Sequence, residues 1–277
     1  MTTDDWRHAL DAAALRDVLI DSPWRRFDVV DETGSTNADL IARATAGEDI
    51  DGVVLIAEHQ TAGRGRNGRS WSAVPRAQVT MSAGVSTDGI PSGAWGWIPL
   101  VAGLAVLEAI AAATGVDAGL KWPNDVLARP PAHGKLAGIL AEVAAPAPAV
   151  VIGIGLNVSL RADELPHPGA TSLALLGGRP TDRRDLIVAL LDGLERRMEG
   201  LRVARGADAA LIAEYTAHSL TIGARVRATL PGDREIIGDA RYVDDQGRLS
   251  IDRGGETVVV SAGDIVHLRP FGGADSG

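Results

Sequence analysis

The chain has no cysteine among its 277 residues. This excludes a disulfide framework, a thiolate metal site and an enzyme-bound thioester, so any acyl transfer must use another carrier. Lysine is nearly absent too: the 27 cations are 25 arginines plus Lys121 and Lys135. Asparagine occurs four times, at Asn37, Asn67, Asn124 and Asn157. The six histidines (His8, His59, His133, His167, His218, His267) include no pair three to five residues apart, the spacing a zinc site uses. A net charge of -9 argues against general nucleic-acid affinity, which depends on displacing counterions from phosphates. The most apolar stretch, Pro99 to Ala113, is short for a bilayer and contains Glu108. The opening MTTDDWRHAL is acidic and lacks the basic and apolar regions of a signal peptide. The expectation is a cytoplasmic protein with no membrane partner.

What is present is concentrated. Both lysines and all four asparagines fall in five short segments marked by Gly or Pro: GSTNADL, GRGRNGRSW, KWPND, HGKLAGIL and GIGLNV. In a chain that otherwise uses arginine, a lysine supplies a compact charge on a flexible stem that a planar guanidinium does not imitate. From His59 to Thr87 there is no Asp or Glu but four arginines, Arg64, Arg66, Arg69 and Arg76. One positive segment in an acidic chain suits a small anionic ligand; the plainer reading is a solvated basic loop.

Hydrophobic patterning orders the elements. WRHALDAAALRDVLI reads as one helix, FDVV as a short strand, and Thr36 with Asp39 as a capping-box-like start to the helix ADLIARATA. VVLIAE and QVTMSAGV read as strands on either side of the Gly/Arg loop. PLVAGLAVLEAIAAATG is a mostly buried helix with Pro near its start and Gly beyond its end. KLAGILAEVA and AVVIGIGLNV form an antiparallel pair, and two helices follow, from Asp182 to about Val203 and from Ala207 to His218. Near Leu220 the rhythm changes to short strands and turns, the mark of a small β-barrel. The expected division is a catalytic domain over 1–218, with 1–30 as a helical lead-in, a barrel over 219–270 and a disordered tail over 271–277.

The loop GRGRNGRSW fits three anion-binding patterns: the G-x-G-x-x-G of dinucleotide sites, a P-loop with Arg for Lys, and a basic patch for RNA. Both glycine fingerprints require the loop to open directly into a helix, whose N-terminus holds the phosphate. Here Trp71, Pro75 and a strand follow instead, so neither applies. RNA binding would call for aromatic residues interleaved with the arginines, and none stands between Arg64 and Arg69. The loop must then hold anions with arginine side chains and exposed backbone, its glycines allowing close approach. With few apolar residues to offset its ordering, it is expected to settle on ligand as a lid.

The order STN, HQTAGRGRNGRSW, KWPND, GKLAGIL, GIGLN and a terminal barrel, spanning about Thr33 to Pro270, resembles the biotin protein ligases. The resemblance implies an α+β fold of the class II synthetase and lipoate-ligase kind: a mixed, largely antiparallel sheet with helices packed on it, plus an SH3-like barrel. It implies synthesis of biotinyl-5'-AMP from biotin and ATP with Mg2+, then transfer of biotin to one lysine of a biotin carboxyl carrier domain of acyl-CoA or pyruvate carboxylases. Lacking a DNA-binding extension, the chain looks like the monofunctional type, with no nucleic-acid partner. It is expected as a monomer or a weak, ligand-dependent homodimer. A lipoate or octanoate ligase or transferase and a non-catalytic biotin sensor are the alternatives.

By the same resemblance, Ser35, Thr36, Asn37, Gln60, Gly63, Arg64, Gly65, Arg66, Lys135 and Gly138 surround biotin. Arg66, Arg69, Trp71, Lys121, Asn124, Asp125, Lys135 and Asn157 take ATP or the adenylate, and Asp125 takes Mg2+. Lys135, Arg64 and Arg66 are the catalytic candidates, because a biotin carboxylate and an α-phosphate repel each other unless cations are already placed. The structural alternatives are a helix cap for Thr36, a core aromatic for Trp71, a loop brace for Asp125 and a turn residue for Asn157.

Overall fold

Runs of Val, Ile, Leu and Ala build one large sheet. The computed structural model describes residues 6–145, 148–230, 234–261 and 264–267. After helix α1 (Ala12–Val18) come β1 (Arg26–Thr33), α2 (Thr36–Thr45), β2 (Val53–Gln60), β3 (Gln78–Ser86) and the long helix α3 (Ile98–Thr114). Strands β4 (Ala118–Lys121), β5 (Asp125–Ala128), β6 (Lys135–Ala144) and β7 (Ala149–Asn157) complete a seven-stranded sheet in the order β1-β2-β3-β7-β6-β5-β4. β1 and β2 run parallel and all other neighbours antiparallel. The mixed, largely antiparallel sheet is therefore as expected, and β6 and β7 form the hairpin read from their sequences, with Ala144 opposite Ala149.

Strand periodicity serves both faces. In β2, Val54 and Ile56 enter the main core with α3, while Val53 and Leu55 join a second cluster with Leu40 and Ala44 of α2. Buried on both sides, such a strand loses the apolar-polar alternation of a half-exposed one. Helix α3 is apolar almost all round because it lies between the sheet and α4 (Arg183–Val203). Burying each Leu or Ile there contributes about 1.5–3 kcal/mol. The helical run Ser92–Thr114 has the length and apolarity to cross a bilayer, but most of it packs inside the fold.

Two local expectations are corrected. The N-terminal helix is only Ala12–Val18 rather than Trp6 to Ile20, because the residues before it are held by tertiary partners. Arg7 pairs with Glu164 at 2.6 Å, and Leu10 N–H donates to Glu58 Oε1 at 2.7 Å, so the helix starts at the Asp11 cap. Helix α2 is capped by Ser35, not Thr36, and Asp39 Oδ2 instead accepts from Thr33 Oγ1 at 2.5 Å.

After α5 (Ala209–His218), strands β8 (Arg225–Leu230), β9 (Arg234–Val243), β10 (Leu249–Arg253), β11 (Glu256–Val260) and β12 (Asp264–His267) form a five-stranded antiparallel sheet ordered β11-β10-β9-β8-β12. Two buried tryptophans, one at the start of α3 and one just after β4, fasten it to the rest of the fold. Trp97 Nε1 donates to Asp244 O and Trp122 Nε1 to Gly247 O, both at 3.0 Å. The turn at Gly247 has φ +79 and lies so close to Gly96 that neither position has room for a side chain. The tail at 271–277 lies outside the described residues.

Candidate active site

A cleft of about 860 Å3 lies over β3, β6 and β7, between the start of α2 and the loop before β6. Its first end is a buried polar cluster. Thr36 N–H and Oγ1 both donate to Gln60 Oε1, at 2.8 and 3.0 Å. Ser82 Oγ sits 2.7 Å from Thr36 Oγ1 and 2.6 Å from Asn37 Oδ1, and Asn37 Nδ2 donates to Glu142 Oε2 at 2.8 Å. Asn37 approaches Gly153 so closely that a Cβ there would overlap its amide. Thr36 thus serves in the network rather than as the cap.

Between the two ends runs the basic loop, folded as a short hairpin. Arg64 bridges Ser70, Gly65 N–H donates to Arg69 O at 2.7 Å, and Trp71 N–H donates to Gly63 O at 2.8 Å. Asn67 (φ 55) and Gly68 (φ 73) make the turn. Arg64 Nη2 reaches Glu142 Oε1 at 2.7 Å, and Arg66 Nη1 is 3.4 Å from Asn124 Oδ1. The indole of Trp71 lies on Gly138 and Gly155, with its buried Nε1 lacking a hydrogen-bond partner. Gly63 itself is outside the cleft lining; it forms the base of the hairpin, against the carbonyl of Trp71.

The second end holds the lysines. Lys135 Nζ makes a 2.6 Å ion pair with Asp125 Oδ1 and stands 5.5 Å from the Trp71 ring centroid. Lys121, Asn124 and Asp125 line the same end, together with His133 and His167. Among the described residues no cluster of three or more His, Cys, Asp or Glu forms a metal cage. A single carboxylate does fit a Mg2+ that keeps several waters and shares substrate phosphates. Asn157 lines the cleft but turns its amide toward protein: Nδ2 donates to Lys135 O and Thr171 O, and Oδ1 accepts from Gln78.

Fifteen of the sixteen residues named from the sequence therefore meet in one cleft, Gly63 being the exception. Sequence reading missed Ser82, Gln78 and Glu142. The signal for Glu142 was present: two residues beyond Leu140 and four beyond Gly138, it shares their face of β6.

Comparison with known proteins agrees with this geometry. Residues 32–159 match the Biotin/lipoate A/B protein ligase family, and residues 221–268 match the Biotin protein ligase C terminal domain. A biotin–[acetyl-CoA-carboxylase] ligase of Mycobacterium tuberculosis is 57% identical over 271 residues, covering 96% of this chain and 98% of that protein. The bifunctional ligase/repressor BirA of Escherichia coli is 33% identical, covering 80% of this chain and 67% of that protein. A solved structure of biotin protein ligase from Aquifex aeolicus in complex with biotin and ATP superposes with a TM-score of 0.74 at 25% identity, covering 88% of this chain and 99% of that one. With a near full-length relative, both family matches and the fold in agreement, the chain belongs to the biotin protein ligases.

Proposed function

We propose that this chain joins biotin to the α-phosphate of ATP, releasing pyrophosphate, and then passes the biotinyl group to a lysine of a biotin carboxyl carrier domain. One observation carries the reading. Both lysines of the chain and three flap arginines, Arg64, Arg66 and Arg69, line a single cleft, and its other end is a buried polar pocket. A fused bicyclic urea with an apolar tail and a terminal carboxylate needs that combination of polar pocket, flat wall and cations. Among the described residues Gln60 Oε1 is taken by Thr36, and its amide N–H groups remain to donate toward a urea carbonyl.

In the first step a carboxylate oxygen of biotin attacks the α-phosphorus, and the bond to the pyrophosphate oxygen breaks. Two anions must meet, so the chain supplies positive charge in advance. Lys135, on a flexible stem, follows the charge as it moves from carboxylate to phosphate, while Arg66 and Arg69 hold the phosphates through the flap. Trp71 covers the product and keeps water from the mixed anhydride. Mg2+ arriving with the triphosphate would be held by Asp125 and supplies charge neutralisation at the leaving phosphates.

In the second step the ε-amine of the carrier lysine attacks the anhydride carbonyl, an amide bond forms and AMP leaves. The chain needs no nucleophile of its own, which accords with its lack of cysteine. The carrier would be the biotin carboxyl carrier domain of an acyl-CoA or pyruvate carboxylase, met in the cytoplasm. We assign this chemistry to a unit over 1–218 and the smaller sheet to a separate unit from 219 onward. Biotin-dependent exchange of pyrophosphate into ATP tests the reading; exchange with lipoate but not biotin would replace it with a lipoyl ligase.

A further inference from the structure

Gln78 and Asn157 are register partners at adjoining ends of β3 and β7, and each is only 2% exposed. Every side-chain polar atom of the pair has a partner. Gln78 Nε2 donates to Asn157 Oδ1 at 2.7 Å and to Ser72 O at 3.1 Å, and Gln78 Oε1 accepts from Val74 N–H at 2.9 Å. Asn157 Nδ2 donates to Thr171 O at 2.9 Å and to the main-chain oxygen of Lys135 at 3.2 Å. Two amides thus join the stem by which the flap returns to the sheet, Ser72 to Val74, to the first residue of β6, which carries the ammonium.

The pair is braced from behind. Arg183 Nη1 donates to Gln78 O at 3.2 Å and to Glu58 Oε2 at 2.6 Å, and both charged groups are buried. Shifting the Gln78 backbone would strand part of that ion pair away from water. Two buried primary amides are costly unless fully satisfied, and an apolar pair would fill the same space without that liability. What the amides add is direction: each fixes the partner strand at a defined angle and distance.

We propose that Gln78 is a positioning residue for adenylate formation, locking the returning flap stem to the strand entry that bears Lys135 so that lid closure and ammonium placement are set together. Gln78 does not line the cleft and touches neither reactant. The inference rests on the adenylation reading above.

The test uses the full chain carrying Gln78→Leu, which removes all three hydrogen bonds at similar volume. A companion, Gln78→Glu, keeps the acceptor for Val74 but loses both donors. Biotin-dependent pyrophosphate exchange and trypsin cleavage between Arg64 and Arg69 are measured for each. The expected result is a kcat lowered about tenfold to a hundredfold, as for a charge misplaced by up to an ångström. The KM for biotin should change far less, because the polar pocket around Thr36 and Gln60 is untouched, and flap cleavage should quicken. Combining Gln78→Leu with Asn157→Leu should be no worse than the poorer single variant, since the two act as one unit. Unchanged kcat, or a raised KM with kcat intact, overturns the proposal; so does failure of both single variants to fold, which would make Gln78 a stability residue alone. If the parent chain shows no exchange with biotin, the adenylation reading fails by itself. The lock is then decided by cleavage: faster in the variants supports it, and equal rates refute it.

Discussion

Gly138 and Gly155 stand directly opposite each other on β6 and β7, and the Trp71 indole lies across both. A Cβ on Gly155 would overlap the ring, whereas one on Gly138 would meet its Cζ3 at 3.1 Å. The two glycines therefore make a floor flat enough for an aromatic plane, and the flap reaches that floor through one side chain. Gly155→Ala should push the indole outward at an overpacking cost of about 1–3 kcal/mol, which corresponds to roughly a five- to hundredfold loss in kcat/KM for biotin. Gly138→Ala should do less. Exchange kinetics on the two variants check the order, and equal losses would show that Trp71 does not rest on this floor in the working enzyme.

Lys135→Ala should slow adenylate formation by about a hundredfold or more, as removal of a preplaced charge does. Lys135→Arg should recover little, since a planar fork cannot follow charge between two oxygens. Pyrophosphate release in single-turnover mixing is the direct measure, and near-parental release by the alanine variant would transfer the role to Lys121.

Glu142 holds Arg64 with one carboxylate oxygen and Asn37 with the other. Glu142→Gln keeps the shape and removes the charge, so the flap should open more often. Trypsin should cut the Arg64–Arg69 segment faster, and added biotin with ATP should restore protection. Arg66→Gly should weaken the same lid from its other side and release activated biotin to unrelated lysines, seen as label on a bystander protein. Equal retention of the adenylate by parent and variant would count against a sealing lid.

The hydrogen bonds from Arg7 hold the Glu164 carboxyl below its usual 4.5; burial pulls the other way, and Arg161 N–H adds to the depression. A carboxylate depressed by folding stabilises fully above its unfolded pKa, and that contribution fades as pH falls through the lower, folded value. Glu164→Gln should therefore cost about 1–3 kcal/mol at pH 7 and progressively less below about pH 4.5. Paired thermal melts at pH 7 and 3.5 measure the gap, and a gap independent of pH would mean the ion pair is not what holds the N-terminal segment.

Much of this architecture is legible in the sequence where the signal is local and repeated. The β6/β7 hairpin follows from two apolar runs and an Ala/Pro turn, and the length of α3 from Pro99 and Gly115. The gathering of Lys121 and Lys135 follows from their rarity, and that of the flap arginines from an acid-free segment, all set in turn-marked motifs. What was illegible depends on distant partners. Nothing near Trp6 shows that Arg7 will meet Glu164, 157 residues on, and so keep the first helix short. Gln78 reads as an ordinary strand residue until β7 is laid beside it. Thr36 has the side chain of a cap, and only the burial of Gln60 and Ser82 beside it redirects its hydroxyl.

The contact between Lys135 and Asp125 bears on how the enzyme rests. An ammonium already matched by a carboxylate 2.6 Å away is poor bait for a lone anion. On the proposed reading, a nucleotide arriving with a divalent ion would offer both members a new partner: Asp125 would hold the ion and Lys135 would meet phosphate. Entry would then be an exchange of partners, for which a metal-bearing nucleotide is better equipped than free phosphate.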